Sequence, residues 1–167
     1  MKNIFAFAAL LSAVSLAAAP LDLQMPFKQG RKTPISWWET QGKLVDVDGA
    51  KAVALEKLQK LQFKNSFPGK AGDKLVYEIT MKRDSDNVSL RIGQWSKEGW
   101  IGENFVLLKG KKEFSVVKGE IVLKDADKPD KAGVLRKVSH FHINIYAHSN
   151  SKGTVIKDVK IDFVPAK

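Results

Sequence analysis

The chain has no cysteine. Disulfide staples, thiolate metal sites and a cysteine nucleophile are all excluded by that absence. Histidine is nearly as scarce, with 3 in 167 residues. Acid is short of base: 18 Asp and Glu against 28 Lys and Arg leave a formal net charge of +10. The excess is nearly all lysine and is scattered. Scattered lysine favours solubility and a loose attraction to polyanions. No compact Arg/Lys cluster with interleaved aromatics occurs, so nucleic acid is not an expected partner. Acidic polysaccharides, cell-wall polymers and anionic surfaces fit this balance better. No apolar run after the first 20 residues is long enough for a bilayer, so no membrane insertion is expected.

The first residues, "MKNIFAFAALLSAVSLAAAP", carry one cation, Lys2, then an apolar run from Ile4 to Leu16, then Ala17, Ala18 and Ala19. This is the order of charge, apolar core and small residues found in a secretory signal peptide, here residues 1–19. The run falls short of the roughly 20 residues of a membrane span. The lipoprotein route needs a cysteine after the small residues, and there is none. The expectation is an exported protein, secreted or periplasmic. Residues 20–34 are polar and proline-spaced and read as an extended N-terminal segment. Residues 35–167 read as one domain, and a chain of roughly 150 residues buries enough surface to need no staples.

The domain is punctuated by Gly, Asp, Asn and Ser turns between short alternating segments. "ISWWET" reads as a first strand with Trp37 and Trp38 on opposite faces. "GKLVDVDG" is a strand closing on an Asp-Gly turn. "AKAVALEKLQKLQF" has helical propensity, yet Leu61 and Phe63 alternate with Gln62 and Lys64, and turns bracket the piece; two strands are expected. "LVYEITMK" and "VSLRIGQW" alternate cleanly. "SKEGWIGE" reads as a loop carrying Trp100, and "NFVLLK" as a short strand. "EFSVVKGEIVL" is a long strand with a bulge expected at Gly119. "KDADKPDKAGVLRK" is a long charged loop. "VIKDVKIDFV" closes the domain. Such spacing means an all-β, antiparallel β-sandwich.

All three histidines fall in "HFHINIYAH". Read as a strand, Phe141, Ile143, Ile145 and Ala147 face one way, and His140, His142, Asn144, Tyr146 and His148 the other. The second face is a row of hydrogen-bonding and aromatic groups. Sugars need planar hydrogen-bond partners for their hydroxyls and an aromatic plate for their C–H faces. If Arg91 and Trp95 share that face on a neighbouring strand, the candidate ligand set is Arg91, Trp95, His140, His142, Asn144 and Tyr146, and Trp100, across the polar loop "SKEG" from Trp95, joins it as a loop stacking platform. Arginine there could pair a uronate or sulfate. The competing reading is a solvent-washed sheet face, common in antiparallel sheets. A third reading is metal at His140 and His142; no third ligand is placed by sequence, and His148 lies about 20 Å along the strand from His142.

No Gly-x-Ser-x-Gly elbow, phosphate-cradling glycine loop or His-Glu-x-x-His occurs. Glu78 and Glu120 are strand acids that nothing brings together as a glycosidase pair. A lyase or hydrolase using His142 and Tyr146 stays as an alternative. Asp125, Asp127 and Asp130 share one loop, but lysines interleave them and no EF-hand glycine is present, so a solvated loop is expected.

The stretch "FPGKAGDKLVYEITMKRDSDNVSLRIGQW", with "EFSVVKGEIVL", "FHINI" and "VIKDVKIDF" after it, resembles the jelly-roll carbohydrate-binding modules with a galactose-binding-like fold. The resemblance covers residues 38 to 164. It implies a jelly roll whose concave sheet face and flanking loops bind sugar through aromatic and polar side chains. It also implies a structural calcium away from the sugar, for which Asp162 on the last strand is the matching position. Members usually ride on an enzyme, whereas residues 35–167 are expected to form a single non-catalytic domain. The expected function is an exported, non-catalytic domain that binds polysaccharide, acidic ones included. The alternative is a structural or protein-interaction sandwich of the cell envelope.

Overall fold

The computed structural model describes residues 38–63, 65–84 and 87–167. Readings that rest on residues 1–37 or on the side chain of Trp38 lie outside the described residues. Among the described residues there are eleven strands and no helix. In chain order they are β1 Trp38–Thr40, β2 Lys43–Val47, β3 Ala50–Leu55, β4 Lys60–Phe63, β5 Phe67–Pro68, β6 Lys74–Lys82, β7 Val88–Ser96, β8 Gly99–Leu107, β9 Ser115–Val122, β10 His140–Ala147 and β11 Thr154–Val164.

Two antiparallel sheets face each other as a jelly-roll sandwich. One has the order β1-β4-β10-β7-β8, with β5 pairing β10; the other has the order β2-β3-β11-β6-β9. Alternation decides what each strand buries. On β10, Phe141, Ile143, Ile145 and Ala147 are all 0% exposed. They meet Leu75, Ile79, Met81, Val159 and Ile161 from the second sheet in a single core. The Phe141 ring stacks on Phe163 across the sandwich at 6.0 Å. It also meets Phe67, and through it Phe63, at 5.6 and 4.9 Å. Each fully buried side chain of this size contributes about 1.5–3 kcal/mol.

The ambiguous piece after Gly49 is two strands, β3 and β4. Its alternation prevails over helical propensity because Val53, Leu55, Leu61 and Phe63 all reach the core. The Asp-Gly turn between β2 and β3 has both central residues left-handed, Asp48 at φ 52 and Gly49 at φ 77, as a two-residue I′ hairpin needs.

Two expectations need correction. Gly119 sits in unbroken register opposite Tyr77, with no bulge. Its missing side chain leaves room for the buried Tyr77 phenol, against which a Cβ would collide. Trp100 is not on a loop: β8 begins at Gly99, and only Lys97 and Glu98 separate it from β7.

Candidate functional site

The outer face of the first sheet is built from cross-strand register. Between β10 and β7, His140 lies opposite Trp95, His142 opposite Gly93, Asn144 opposite Arg91 and Tyr146 opposite Ser89. On the far side of β10, Asn144 faces Gln62 and Tyr146 faces Lys60 on β4. On the far side of β7, Arg91 faces Phe105, Gly93 faces Glu103 and Trp95 faces Trp100. Directly opposite residues share a face. Arg91, Trp95, Trp100, His140, His142, Asn144 and Tyr146 are therefore all on one side of one sheet.

Trp100 reaches that side through an irregularity. Counting back along β8 from Glu103, strict alternation would turn Trp100 inward. The register slips between Gln94 and Trp95, so that Gln94 pairs Gly102 while Trp95 pairs Trp100. Ile101 is the extra residue, and it packs against the core. A bulge re-aims the side chains that follow it. Here it turns Trp100 outward, 61% exposed.

One half of the face is an aromatic platform. The benzo edge of Trp95 occupies the space above Gly93: a Cβ there would lie 2.8 Å from Cζ3 and 3.0 Å from Cη2. His140 stacks on Trp95 at 6.0 Å and 18°, and His142 meets its edge at 4.6 Å. The Ser139 hydroxyl holds His140 through Nδ1 at 3.0 Å. Burial, then the neighbouring His140, push the pKa of His142 below its ordinary value. At neutral pH its imidazole is uncharged, with one donor and one acceptor nitrogen.

The other half is a closed polar network. The Arg91 guanidinium lies 4.2 Å over the Tyr146 ring. Its Nη1 is 3.2 Å from Glu103 Oε1, and its Nε donates to Ser89 Oγ at 3.0 Å. Its Nη2 is 3.4 Å from His148 Nε2, which also meets Ser89 Oγ at 3.0 Å. Arginine only donates, so His148 Nε2 accepts and the ring is neutral with its proton on Nδ1. Burial first, then Arg91, hold the His148 pKa below its ordinary value, against an opposing pull from Glu103. Between the two halves, the half-buried Asn144 amide makes no hydrogen bond among the described residues.

His142 and Tyr146 stand four residues apart on β10, about 13 Å, with Asn144 between them. Glu78 and Glu120 are on the outer face of the other sheet, each bound to a lysine, Lys118 at 2.8 Å and Lys74 at 3.0 Å. Asp162 is on that face too, 3.9 Å from Lys160. No group of three or more His, Cys, Asp or Glu side chains among the described residues could hold a metal ion. The charged loop between β9 and β10 is internally tied. Asp125 accepts from the Val138 amide, and Asp130 accepts from the Ala132 and Val134 amides and from Arg136.

Sequence reasoning missed Gly93, whose lack of a side chain makes room for the platform, and Glu103, which neutralises Arg91. It also missed a cavity of about 510 Å³ at the β7–β8 turn. Its lining includes Lys97, Glu98, Leu135, Arg136 and Lys137.

No family model matches the chain, and no curated protein matches it. Solved structures with a similar course of chain include the family 6 carbohydrate-binding module from Cellvibrio mixtus lichenase 5A in complex with cellotriose. It is 16% identical over 74% of this chain and 86% of that one, with a TM-score of 0.38. The family 11 carbohydrate-binding module of a cellulosomal cellulase of Clostridium thermocellum is 16% identical over 77% of this chain and 83% of that one, with a TM-score of 0.40. The structure of infectious bursal disease virus, Gx strain, matches 68% of this chain and 29% of its own at 7% identity, with a TM-score of 0.43. At these identities and scores the likeness concerns the course of the chain alone.

Proposed function

We propose that this protein is an exported, non-catalytic carbohydrate-binding domain, and that sugar rings lie on the Trp95 platform of the β1-β4-β10-β7-β8 sheet. The observation that supports this best is Trp95 itself, held over Gly93 and against both His140 and His142. A half-buried aromatic plate beside neutral imidazole and a free Asn144 amide offers stacking and hydroxyl recognition together. Trp100 extends the plate towards the edge of the sheet, and Tyr146 bounds its other end.

Arg91 serves this site as a positioning residue. Its guanidinium is shared among Glu103, Ser89 and His148, and it fixes the Tyr146 ring beneath it. The sheet face thus takes an uncharged polysaccharide backbone. Isothermal titration of neutral β-linked oligosaccharides against the wild type and Trp95→Ala tests the reading. Binding that Trp95→Ala abolishes supports it, and no binding by the wild type across a broad neutral and acidic glycan panel overturns it.

One observation favours a second reading. Trp100, Phe105 and Leu107, all on the outer face of the edge strand β8, are exposed at 48–61%. Apolar edges of this kind serve protein contacts. Sedimentation of a monomer at high concentration would count against self-association through them.

A further inference from the structure

We infer that the cavity at the β7–β8 turn receives an anionic substituent, a carboxylate or a sulfate, carried by a glycan whose backbone lies on the Trp95 platform. The inference rests on the sugar-binding reading of that platform.

The cavity adjoins the platform through covalent and hydrogen-bonded neighbours. Ser139 lines it, and the Ser139 hydroxyl touches His140 Nδ1 at 3.0 Å on the outer face. The Ser139 amide donates to the Trp95 carbonyl at 2.8 Å. Glu98, also in the lining, stands two residues before Trp100. The volume of about 510 Å³ falls within the range of small-ligand pockets.

Its charges are not equivalent. Arg136 is held by Asp130 at 3.0 Å. Asp130 is itself committed: the Val134 amide first, then Arg136, keep its carboxyl below the usual range. Glu98 is also held below its usual range, chiefly by the Ser96 hydroxyl. Lys97 and Lys137 are exposed and make no close ion pair among the described residues, Lys97 acting on Glu98 only as the least of the influences that lower its pKa. Of the cations on the sheet face, Arg91 is neutralised by Glu103, and Lys60 stands opposite Tyr146, at the far end of β10 from Trp95. Lys97 and Lys137 are therefore the cations of the cavity lining that are not held in an ion pair, and the loop tied by Asp130 forms the wall behind them. Ammonium groups suit either anion as point charges.

The test compares three probes at 0.15 M salt: a neutral β-1,4-xylo-oligosaccharide, the same backbone with one glucuronate branch, and a sulfated preparation of it. The proteins are the wild type, Trp95→Ala, Lys97→Gln/Lys137→Gln, and a control at the opposite pole, Lys109→Gln/Lys111→Gln. The wild type is expected to bind at least one anionic probe about tenfold more tightly than the neutral one. Lys97→Gln/Lys137→Gln should erase that difference and leave the neutral affinity unchanged, while the control changes nothing. Whichever anionic probe keeps the advantage identifies the group. Equal affinity for all three probes, or an equal loss in the control, overturns the inference while Trp95-dependent binding stands. Binding that Trp95→Ala leaves untouched overturns the sugar-binding reading itself.

Discussion

Trp95 and Gly93, two residues apart on β7, share one side-chain space: the tryptophan ring fills the volume that a Cβ on Gly93 would need. Gly93 needs no special backbone angle, so a substitution there acts on the ring alone. Gly93→Ala should lift the Trp95 ring off the sheet, since the contact of 2.8 Å cannot be kept. The expected result is a red-shifted tryptophan emission and at least tenfold weaker sugar binding, with a stability change under about 1 kcal/mol. An unchanged emission spectrum would mean that the ring does not rest there.

Arg91→Lys keeps the charge but loses the fork that spans Glu103, Ser89 and His148. A strut role predicts destabilisation by about 1–2 kcal/mol, measurable by urea denaturation. It also predicts an equal loss of affinity for neutral and acidic ligands. A loss confined to acidic ligands would show that Arg91 is the anion receptor instead.

How much of this was legible in the sequence differs by residue. The two faces of "HFHINIYAH" follow from alternation alone, and the burial of Phe141, Ile143 and Ile145 agrees with it. The placing of Arg91 and Trp95 beside that strand needed only that β7 be its neighbour, as it is. Trp100 is legible as a candidate, but as a loop residue; its place on β8 was not legible, because one extra residue, Ile101, changes the face of everything before it. The Arg91–Glu103 pair was not legible either, since it depends on which strand lies on the far side of β7. The cavity depends on how Asp125 and Asp130 fold a charged loop, and composition gives no sign of that.

Stability should fall in mild acid. The folded-state pKa values of His142 and His148 are both depressed below the ordinary 6.5. The unfolded chain then binds more protons than the folded one in this range, so stability rises with pH. The contribution is fully present above pH 6.5 and is lost as pH falls from there through the folded-state values. The melting temperature should drop between pH 7 and pH 5. His148→Gln should flatten that drop, because protonated His148 can no longer accept from Arg91. A slope unchanged in both His148→Gln and His142→Gln would place the acid sensitivity elsewhere.

Leu58 adopts φ 62 at the β3–β4 turn with its side chain 57% exposed. A left-handed leucine costs about 1–2 kcal/mol and here buries little in return. Leu58→Asn should raise stability by roughly 0.5–1 kcal/mol, read as a higher denaturation midpoint with an unchanged slope.

The most direct test of the central claim is titration of wild type and Trp95→Ala with the neutral and branched oligosaccharides, beside circular dichroism of both proteins. Saturable binding by the wild type, lost in a Trp95→Ala variant with the same spectrum and melting temperature, is the predicted result. Equal binding by the two folded proteins would contradict a sugar platform at Trp95.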